Sequence, residues 1–406
     1  MSTRSKRKIL FIGEAGTVSH VARPAVLAAG LDSGKYEVCL ACDRRFEALF
    51  DNEPFEFISI DSVFARESVV ETLASGMPLF SPDILDRYVE EDLRLLRDIS
   101  PDLVVGDMRQ SLAISSKITR TTYVNIINAQ WSPYASLDLE MPEYPMSGVI
   151  GQPIAEMMFK LFYPAGSAVH SLPFNLLRLK YGLPGFMLDI KEVYSFGDYV
   201  VYPDLPEITP TTNLPDNHLY LGPILWSPPV SPPSWWNEIP ADRPMIYVAL
   251  GSSGQHELMS RIEEALGDLP VYVIVATSNR AKATWPANFY TADYLPGLEA
   301  ARRSALVICT GGSMPAQQSL AAGTPILALA SNADQFVYAK AVKRSGAGEV
   351  LPEGKADTFA IREYVRWILG RETYAAAAKG LAQITATYDP CATFRGLLDR
   401  ITGLTQ

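Results

Sequence analysis

Residues 310–335 read TGGSMPAQQSLAAGTPILALASNADQ and hold more chemistry than any other stretch of the chain. An apolar run (305–309) ends in the turn Thr310-Gly311-Gly312-Ser313, a short helical stretch follows, and Gly323-Thr324-Pro325 leads into a second apolar run (326–330) and the polar pair Asp334-Gln335. Amides exposed where a glycine turn enters a helix attract phosphate, because unpaired N–H groups and the helix dipole both favour negative charge there. The segment thus has the order of a phosphate cradle followed by a pair that can bind hydroxyls. A Gly-Gly turn also serves simply to bring a strand and a helix together, and the turn alone leaves both readings open.

The second chemical locus is near the start. Residues 8–12 form an apolar run that enters Gly13-Glu14-Ala15-Gly16-Thr17-Val18-Ser19-His20 and then a helical stretch. The third glycine of a dinucleotide fingerprint is missing, so nicotinamide binding is not expected. His20 falls at a helix N-terminus, where the dipole disfavours an imidazolium and suits the ring to act as a base. His170, His218 and His256 have no such setting. A histidine base works best with a carboxylate on its other nitrogen, and Asp107, at the end of the run 103–106, can supply one; its plain alternative is a helix cap. Arg109, two residues on, is expected to reach the same cleft and meet an anionic acceptor, with an ordinary surface arginine as its alternative. Cys39-x-x-Cys42 has no second cysteine pair or nearby histidine, and no Asp-x-Asp metal motif occurs, so no metal is expected.

These residues need a scaffold. The chain has 406 residues, enough for two ordinary domains, and with 48% hydrophobic and 20% charged residues it is expected to be globular. Residues 226–244, WSPPVSPPSWWNEIPADRP, contain six prolines in nineteen positions and read as an interdomain linker. Before it, short apolar runs at 8–12, 36–41, 56–60, 103–106 and 123–127 alternate with helical stretches such as 23–30 and 85–99; after it, runs at 245–250, 271–276, 305–309 and 326–330 repeat the pattern. Alternation of this kind predicts an α/β protein of two facing, doubly wound Rossmann-like domains, with ligands in the cleft beyond the carboxyl ends of the strands. Residues 131–187 have no clear strand order and are rich in Met and aromatic residues, among them Trp131, Tyr134, Met157, Met158, Phe162, Phe174 and Phe186. Most are expected in small-helix cores, with Trp131 and Tyr134 lining a pocket for an apolar or aromatic acceptor.

In order and spacing, 310–335 resembles the donor-binding signature of inverting, nucleotide-sugar-dependent glycosyltransferases of the GT-B fold, the family of bacterial antibiotic and plant secondary-metabolite enzymes. The resemblance implies that Thr310, Gly311, Gly312 and Ser313 hold the pyrophosphate, Gln318 the ribose, and Asp334 and Gln335 the sugar. It further implies phosphate contacts from Ser252 and Ser253 in the loop after 245–250, and stacking of the nucleobase on Tyr294 with backbone pairing at Leu295. The family's histidine is Thr310 here and its usual glutamine is Gly297. In the first half, Ser19-His20-Val21-Ala22-Arg23-Pro24 matches the context of the family's catalytic histidine, and Asp107 that of its partner aspartate. The resemblance implies an acceptor domain over 1–225, the linker 226–244, a nucleotide-sugar domain over 245–389, and a C-terminal helix over 390–406 that crosses back.

The reading that follows is transfer of a sugar from a UDP- or dTDP-sugar to a hydroxyl of a small apolar or aromatic acceptor, the donor being a co-substrate rather than a resident cofactor. Two alternatives are a nucleotide-sugar epimerase of the same fold, for which the required carboxylates cannot be placed, and a catalytically silent partner of another glycosyltransferase, for which His20 and Asp107 would be superfluous. A net charge of −10 excludes most nucleic-acid binders. The apolar stretch after the basic run 4–8 spans four residues, short of the roughly 7 to 15 of a signal peptide, and no segment approaches the ~18 to 20 of a membrane span. Four cysteines in this length fit a reducing compartment, so a cytoplasmic location is expected.

Overall fold

The computed structural model describes residues 6–62, 78, 80–137, 147–250, 256–277 and 284–403. Two parallel sheets organise the chain. The N-terminal sheet comprises β1 (Arg7–Gly13), β2 (Tyr36–Asp43), β3 (Glu56–Ile60), β4 (Leu103–Asp107), β5 (Thr122–Ile126), β6 (Tyr199–Tyr202) and β7 (His218–Tyr220), in the order β3-β2-β1-β4-β5-β6-β7. The C-terminal sheet comprises β8 (Met245–Ala249), β9 (Tyr272–Ala276), β10 (Phe289–Ala292), β11 (Leu306–Cys309), β12 (Ile326–Ala330) and β13 (Gly348–Pro352), in the order β10-β9-β8-β11-β12-β13. Near-continuous apolar strands such as LVIC and ILALA are what a sheet covered on both faces requires, and both strands are fully buried. In each sheet the order reverses beside its first strand, between β1 and β4 and between β8 and β11, which creates a crevice at the carboxyl ends of those strands.

The helices that matter to the site start at these crevices: α1 (Ser19–Ala29) after β1, α2 (Pro82–Ile99) before β4, and α3 (Leu112–Thr119) after it. Further on lie the long α4 (Gln152–Lys180), α5 (His256–Leu266), α6 (Gly297–Arg303), α7 (Ser313–Ala321) after β11 and α8 (Ala333–Arg344) after β12. The chain ends in α9 (Thr358–Leu369), α10 (Glu372–Thr385) and α11 (Pro390–Thr402). Helix α11 belongs structurally to the first half: Phe394, Leu397 and Leu398 join the core of the N-terminal sheet, and Asp399 accepts a 2.7 Å hydrogen bond from the Tyr36 hydroxyl. The proline-rich segment also divides its loyalties. Trp226 packs on the N-terminal core, and Trp236 is buried in the C-terminal one.

Residues 131–187 depart from the expectation of small-helix core. The 29-residue α4 dominates that stretch, and Met157, Met158, Phe162 and Phe186 are exposed, while Phe174 is buried. Its internal Pro164 and Pro173 interrupt the pattern by which a helix is recognised in sequence.

Candidate active site

Strands β1 and β4 pair in register so that Gly13 lies opposite Asp107, and the Glu14 amide donates to the Asp107 carbonyl at 3.0 Å. The first turn of α1 packs directly on this end. A Cβ at Gly13 would lie 2.7 Å from the His20 carbonyl oxygen, so glycine is what lets the helix start there. The result brings His20 Nδ1 within 2.8 Å of Asp107 Oδ1. Asp107 is wholly buried while the His20 side chain keeps 22% of its surface exposed, so the ring has one face on the carboxylate and another toward the cleft.

Sequence reasoning missed the group that completes this pair. Arg23, one turn along α1 from His20, is 2% exposed and binds Asp107 through both oxygens, Nε to Oδ2 and Nη2 to Oδ1, each at 2.7 Å. Its Nη1 donates to Asn128 Oδ1 at 2.8 Å, and Nη2 also lies 2.8 Å from His20 Nδ1. A guanidinium fork matched to a carboxylate fixes that carboxylate in plane. When Nδ1–H is donated to Asp107, rather than Nδ1 accepting from Arg23, the imidazole presents Nε2 as an acceptor, the tautomer a general base needs. The signal available in sequence was a lone cation three residues from His20 among Val21, Ala22, Pro24 and Ala25.

The C-terminal half meets this cluster through its own crevice. Gly311 adopts φ +83°, and a side chain there would collide with Ala328, Ala339 and the Gln335 carbonyl. The turn therefore bends tightly and opens into α7, whose N-cap Gly312 contributes no side-chain hydrogen bond. Ser313 Oγ donates to Asn128 Oδ1 at 3.4 Å, and Ser19 Oγ contacts Met314 Sδ at 3.8 Å. The N-termini of α1 and α7 thus face each other across the cleft, and their dipoles jointly favour an anion between them. Gln317 Nε2 bonds Asp204 at 2.9 Å, and Asp204 in turn accepts from Asn128 and from the Ala129 amide. Burial pushes the Asp204 carboxyl up to about 6.

The remaining expected residues fall as follows. Asp334, in the first turn of α8, receives 2.7 Å hydrogen bonds from Gln130 Nε2 and Trp131 Nε1 of the opposite domain. Gln335 turns back, its side-chain oxygen accepting from the Ser331 amide and hydroxyl at 3.0 Å. Gln318 bonds the linker at the Trp226 carbonyl and Ser227 Oγ, and its carboxamide fills the space a side chain at Gly297 would need. Tyr294 is exposed beyond β10, and Leu295 beside it is buried. Thr310 is partly exposed at the head of the turn. Trp131 stacks edge-on with Tyr194, and Tyr134 packs edge-on against His218 beside Tyr202. Ser252 and Ser253 lie outside the described residues.

Arg109 corrects an expectation. Instead of reaching the cleft to meet an acceptor, it is enclosed with Glu14 at 3.1 Å, Glu91 at 2.6 Å and Asp92 at 3.0 Å, and its guanidinium covers the Tyr88 ring. A buried cation needs such partners to offset its lost hydration. Arg109 therefore ties α2 to the β1/β4 crevice, with each of its three guanidinium nitrogens bonded to a carboxylate. Among the described residues, no cluster of His, Cys, Asp or Glu is arranged to hold a metal ion.

Two doubly wound parallel sheets facing across a cleft, with a His-Asp pair at one switch point and a glycine turn at the other, define a GT-B glycosyltransferase. Comparison with known proteins agrees. Residues 260–394 match the family described as erythromycin biosynthesis protein CIII-like, C-terminal domain. A PGL/p-HBAD biosynthesis glycosyltransferase of Mycobacterium tuberculosis (strain ATCC 25177 / H37Ra) is 44% identical over 93% of this chain and 88% of its own length. A PGL/p-HBAD biosynthesis rhamnosyltransferase of Mycobacterium bovis (strain BCG / Pasteur 1173P2) is 41% identical over 93% and 84%. A relative from the same strain, 43% identical over 64% of this chain and 71% of its own, is described as inactive. Among solved structures, spinosyn rhamnosyltransferase SpnG complexed with thymidine diphosphate superposes with a TM-score of 0.67 at 17% identity, covering 96% of this chain and 99% of that one. The chain belongs to the glycosyltransferase family of these mycobacterial relatives and has the GT-B fold.

Proposed function

We propose that the protein transfers a hexosyl group with inversion from a nucleoside diphosphate sugar to a hydroxyl of an apolar or aromatic acceptor, with His20 as general base. The observation that carries the reading is the 2.8 Å contact of His20 with buried Asp107 at the mouth of the cleft. In the reaction, Nε2 of His20 takes the acceptor proton as its oxygen attacks the anomeric carbon, Asp107 stabilises the imidazolium that forms, and the C1–O bond to the diphosphate breaks on the opposite side. The leaving charge develops against the amides at 311–313 and the facing dipoles of α7 and α1. Asp334 and Gln335 hold the sugar hydroxyls and Gln318 the ribose, while Tyr294 stacks on the base.

Thymidine is favoured over uridine as the donor base, on the support of the thymidine diphosphate bound to SpnG, and a deoxyhexose such as rhamnose on that of the rhamnosyltransferase relative. Both relatives act in PGL/p-HBAD biosynthesis by name, and Trp131 and Tyr194 offer flat surfaces near Asp334 suited to a phenolic acceptor. We place the reaction in the cytoplasm, where nucleotide sugars are made. The test is an incubation of the purified protein with dTDP- and UDP-sugars and phenolic acceptors, followed by proton NMR of the product's anomeric centre. Product of the opposite anomeric configuration to the donor is expected; retention would exclude direct displacement.

A further inference from the structure

Helix α4 (Gln152–Lys180) is apolar on both sides. Its buried side carries Ala155, Pro173, Phe174 and Leu177 together with Ser167, Ser171, Asn175 and Arg178, which hydrogen-bond within the fold. Ser167 accepts from the Ile190 amide at 2.7 Å, Asn175 exchanges two hydrogen bonds with the Met187 backbone at 2.7 and 3.0 Å, and Arg178 donates to the Pro184 and Gly185 carbonyls. Its outer side carries Met158, Leu161, Val169, Leu172, Leu176 and Leu179, all exposed, at steps of three, four and eight that keep them on one line along the helix. Of fifteen large apolar side chains exposed among the described residues, twelve lie between Val149 and Leu188. The water-facing side of a helix is polar instead. Apolar patches of this extent on a folded protein mark an interaction surface.

We infer that this face docks the enzyme on a lipid bilayer, with α4 lying in the plane of the interface. Three observations point to a bilayer. The line of side chains from Ile154 to Leu179 runs along about 38 Å of helix at 1.5 Å per residue, a long continuous edge suited to an extended surface. In a chain of net charge −10, the segment 147–188 holds a single acidic residue, Glu156, against the basic Lys160, Arg178 and Lys180. Lys160 and Lys180 flank the stripe about half exposed, in surface pairs with Glu156 and Asp86; pairs this exposed are weak, so the ammonium groups can exchange to anionic headgroups while their stems run along acyl chains. No described helix is long and apolar enough to cross a membrane, so the helix rests on the surface rather than spanning it. Its inner side meets Tyr194 and Gln110 around a small cavity with His170, Pro173 and Phe174, next to the β4 end that carries Asp107. One helix thus separates the bilayer from the acceptor side of the cleft.

The docking is independent of the transfer chemistry and is tested without it. The full-length protein is sedimented with vesicles of phosphatidylethanolamine and phosphatidylglycerol, beside a variant carrying Leu161→Glu, Leu172→Glu and Leu176→Glu. These positions are exposed, so the variant is expected to keep its circular dichroism and melting temperature. The wild type is expected to pellet with the vesicles and the variant to partition at least tenfold less, since withdrawing one large side chain from an apolar phase is worth roughly that factor. Wild type left in the supernatant, or a folded variant that pellets equally, overturns the inference. So does light scattering that shows a wild-type dimer and a monomeric variant with no vesicle binding by either, which would make the face a self-interface.

Discussion

Replacing Arg23 by methionine should strongly destabilise the protein. The guanidinium makes three hydrogen bonds of 2.7 to 2.8 Å to Asp107 and Asn128, and Asp107 is wholly buried. Methionine fills most of the same volume, so the cost comes from stranding a desolvated carboxylate whose remaining side-chain partner is His20. Breaking a buried ion pair from one side costs about 3 to 5 kcal/mol. At roughly 2 to 4 °C per kcal/mol for a domain of this size, the melting temperature should fall by about 6 to 20 °C. The control is the double variant Arg23→Met, Asp107→Leu, which removes both charges; because apolar replacement of a whole buried pair is often neutral, it should recover most of the loss. Differential scanning fluorimetry of the three proteins measures both effects. A single variant melting within about 1 °C of wild type would mean the pair is not desolvated, and a double variant as unstable as the single one would assign the loss to packing. Turnover should stay low in both, since neither retains the complete cluster around His20.

His20→Ala should lower kcat with an alcohol or phenol acceptor by about 10² to 10⁴ with little change in donor affinity; full turnover in that variant would remove the base from the mechanism. Asp107→Asn should act in the same direction and non-additively with it, as a double-mutant cycle in kcat will show. Asp334→Ala should weaken use of the nucleotide sugar by about 1 to 3 kcal/mol per lost hydrogen bond while leaving nucleoside diphosphate binding nearly unchanged; calorimetry with equal losses for both ligands would contradict the sugar contact. Thr310→His should keep or tighten nucleoside diphosphate binding, and its abolition would show that the 310–313 turn holds phosphate in another geometry.

The sheets were legible because their central strands are unbroken apolar runs, and a run of four or five such residues between turn signals has few other homes. The strands outside those runs were missed for the same reason. Tyr199–Tyr202, His218–Tyr220, Phe289–Ala292 and Gly348–Pro352 are edge or near-edge strands of three to five residues, some with polar or proline positions, and their strand state comes from their neighbours. His20 and Asp107 could be paired from sequence because one opens the helix that follows β1 and the other closes β4, and these carboxyl ends converge in this topology. Arg23 and Arg109 could not be told apart that way. Both are arginines beside the same crevice, and which one faces the reacting groups depends on where Glu14, Glu91 and Asp92 lie in space.

Asn128 shows how the two halves of the site depend on each other. It sits just beyond β5, and its side-chain oxygen accepts both from Arg23, which holds Asp107, and from Ser313, which begins the helix beside the glycine turn. Its side-chain nitrogen donates to Asp204, which also binds Gln317 of the same α7. The side-chain hydrogen bonds that join the domains at Asn128 and Asp204 link the His20 cluster to the 310–313 turn, beside apolar packing of Leu137, Leu205 and Ile208 into the core of the C-terminal sheet. A separation of the domains that broke Ser313 from Asn128 and Gln317 from Asp204 would leave Asp204 and Asn128 short of donors while Arg23, His20 and Asp107, all carried by one domain, stayed together. Arg23, His20 and Asp107 thus hold one another within one domain, while their place beside the glycine turn depends on Asn128 and Asp204.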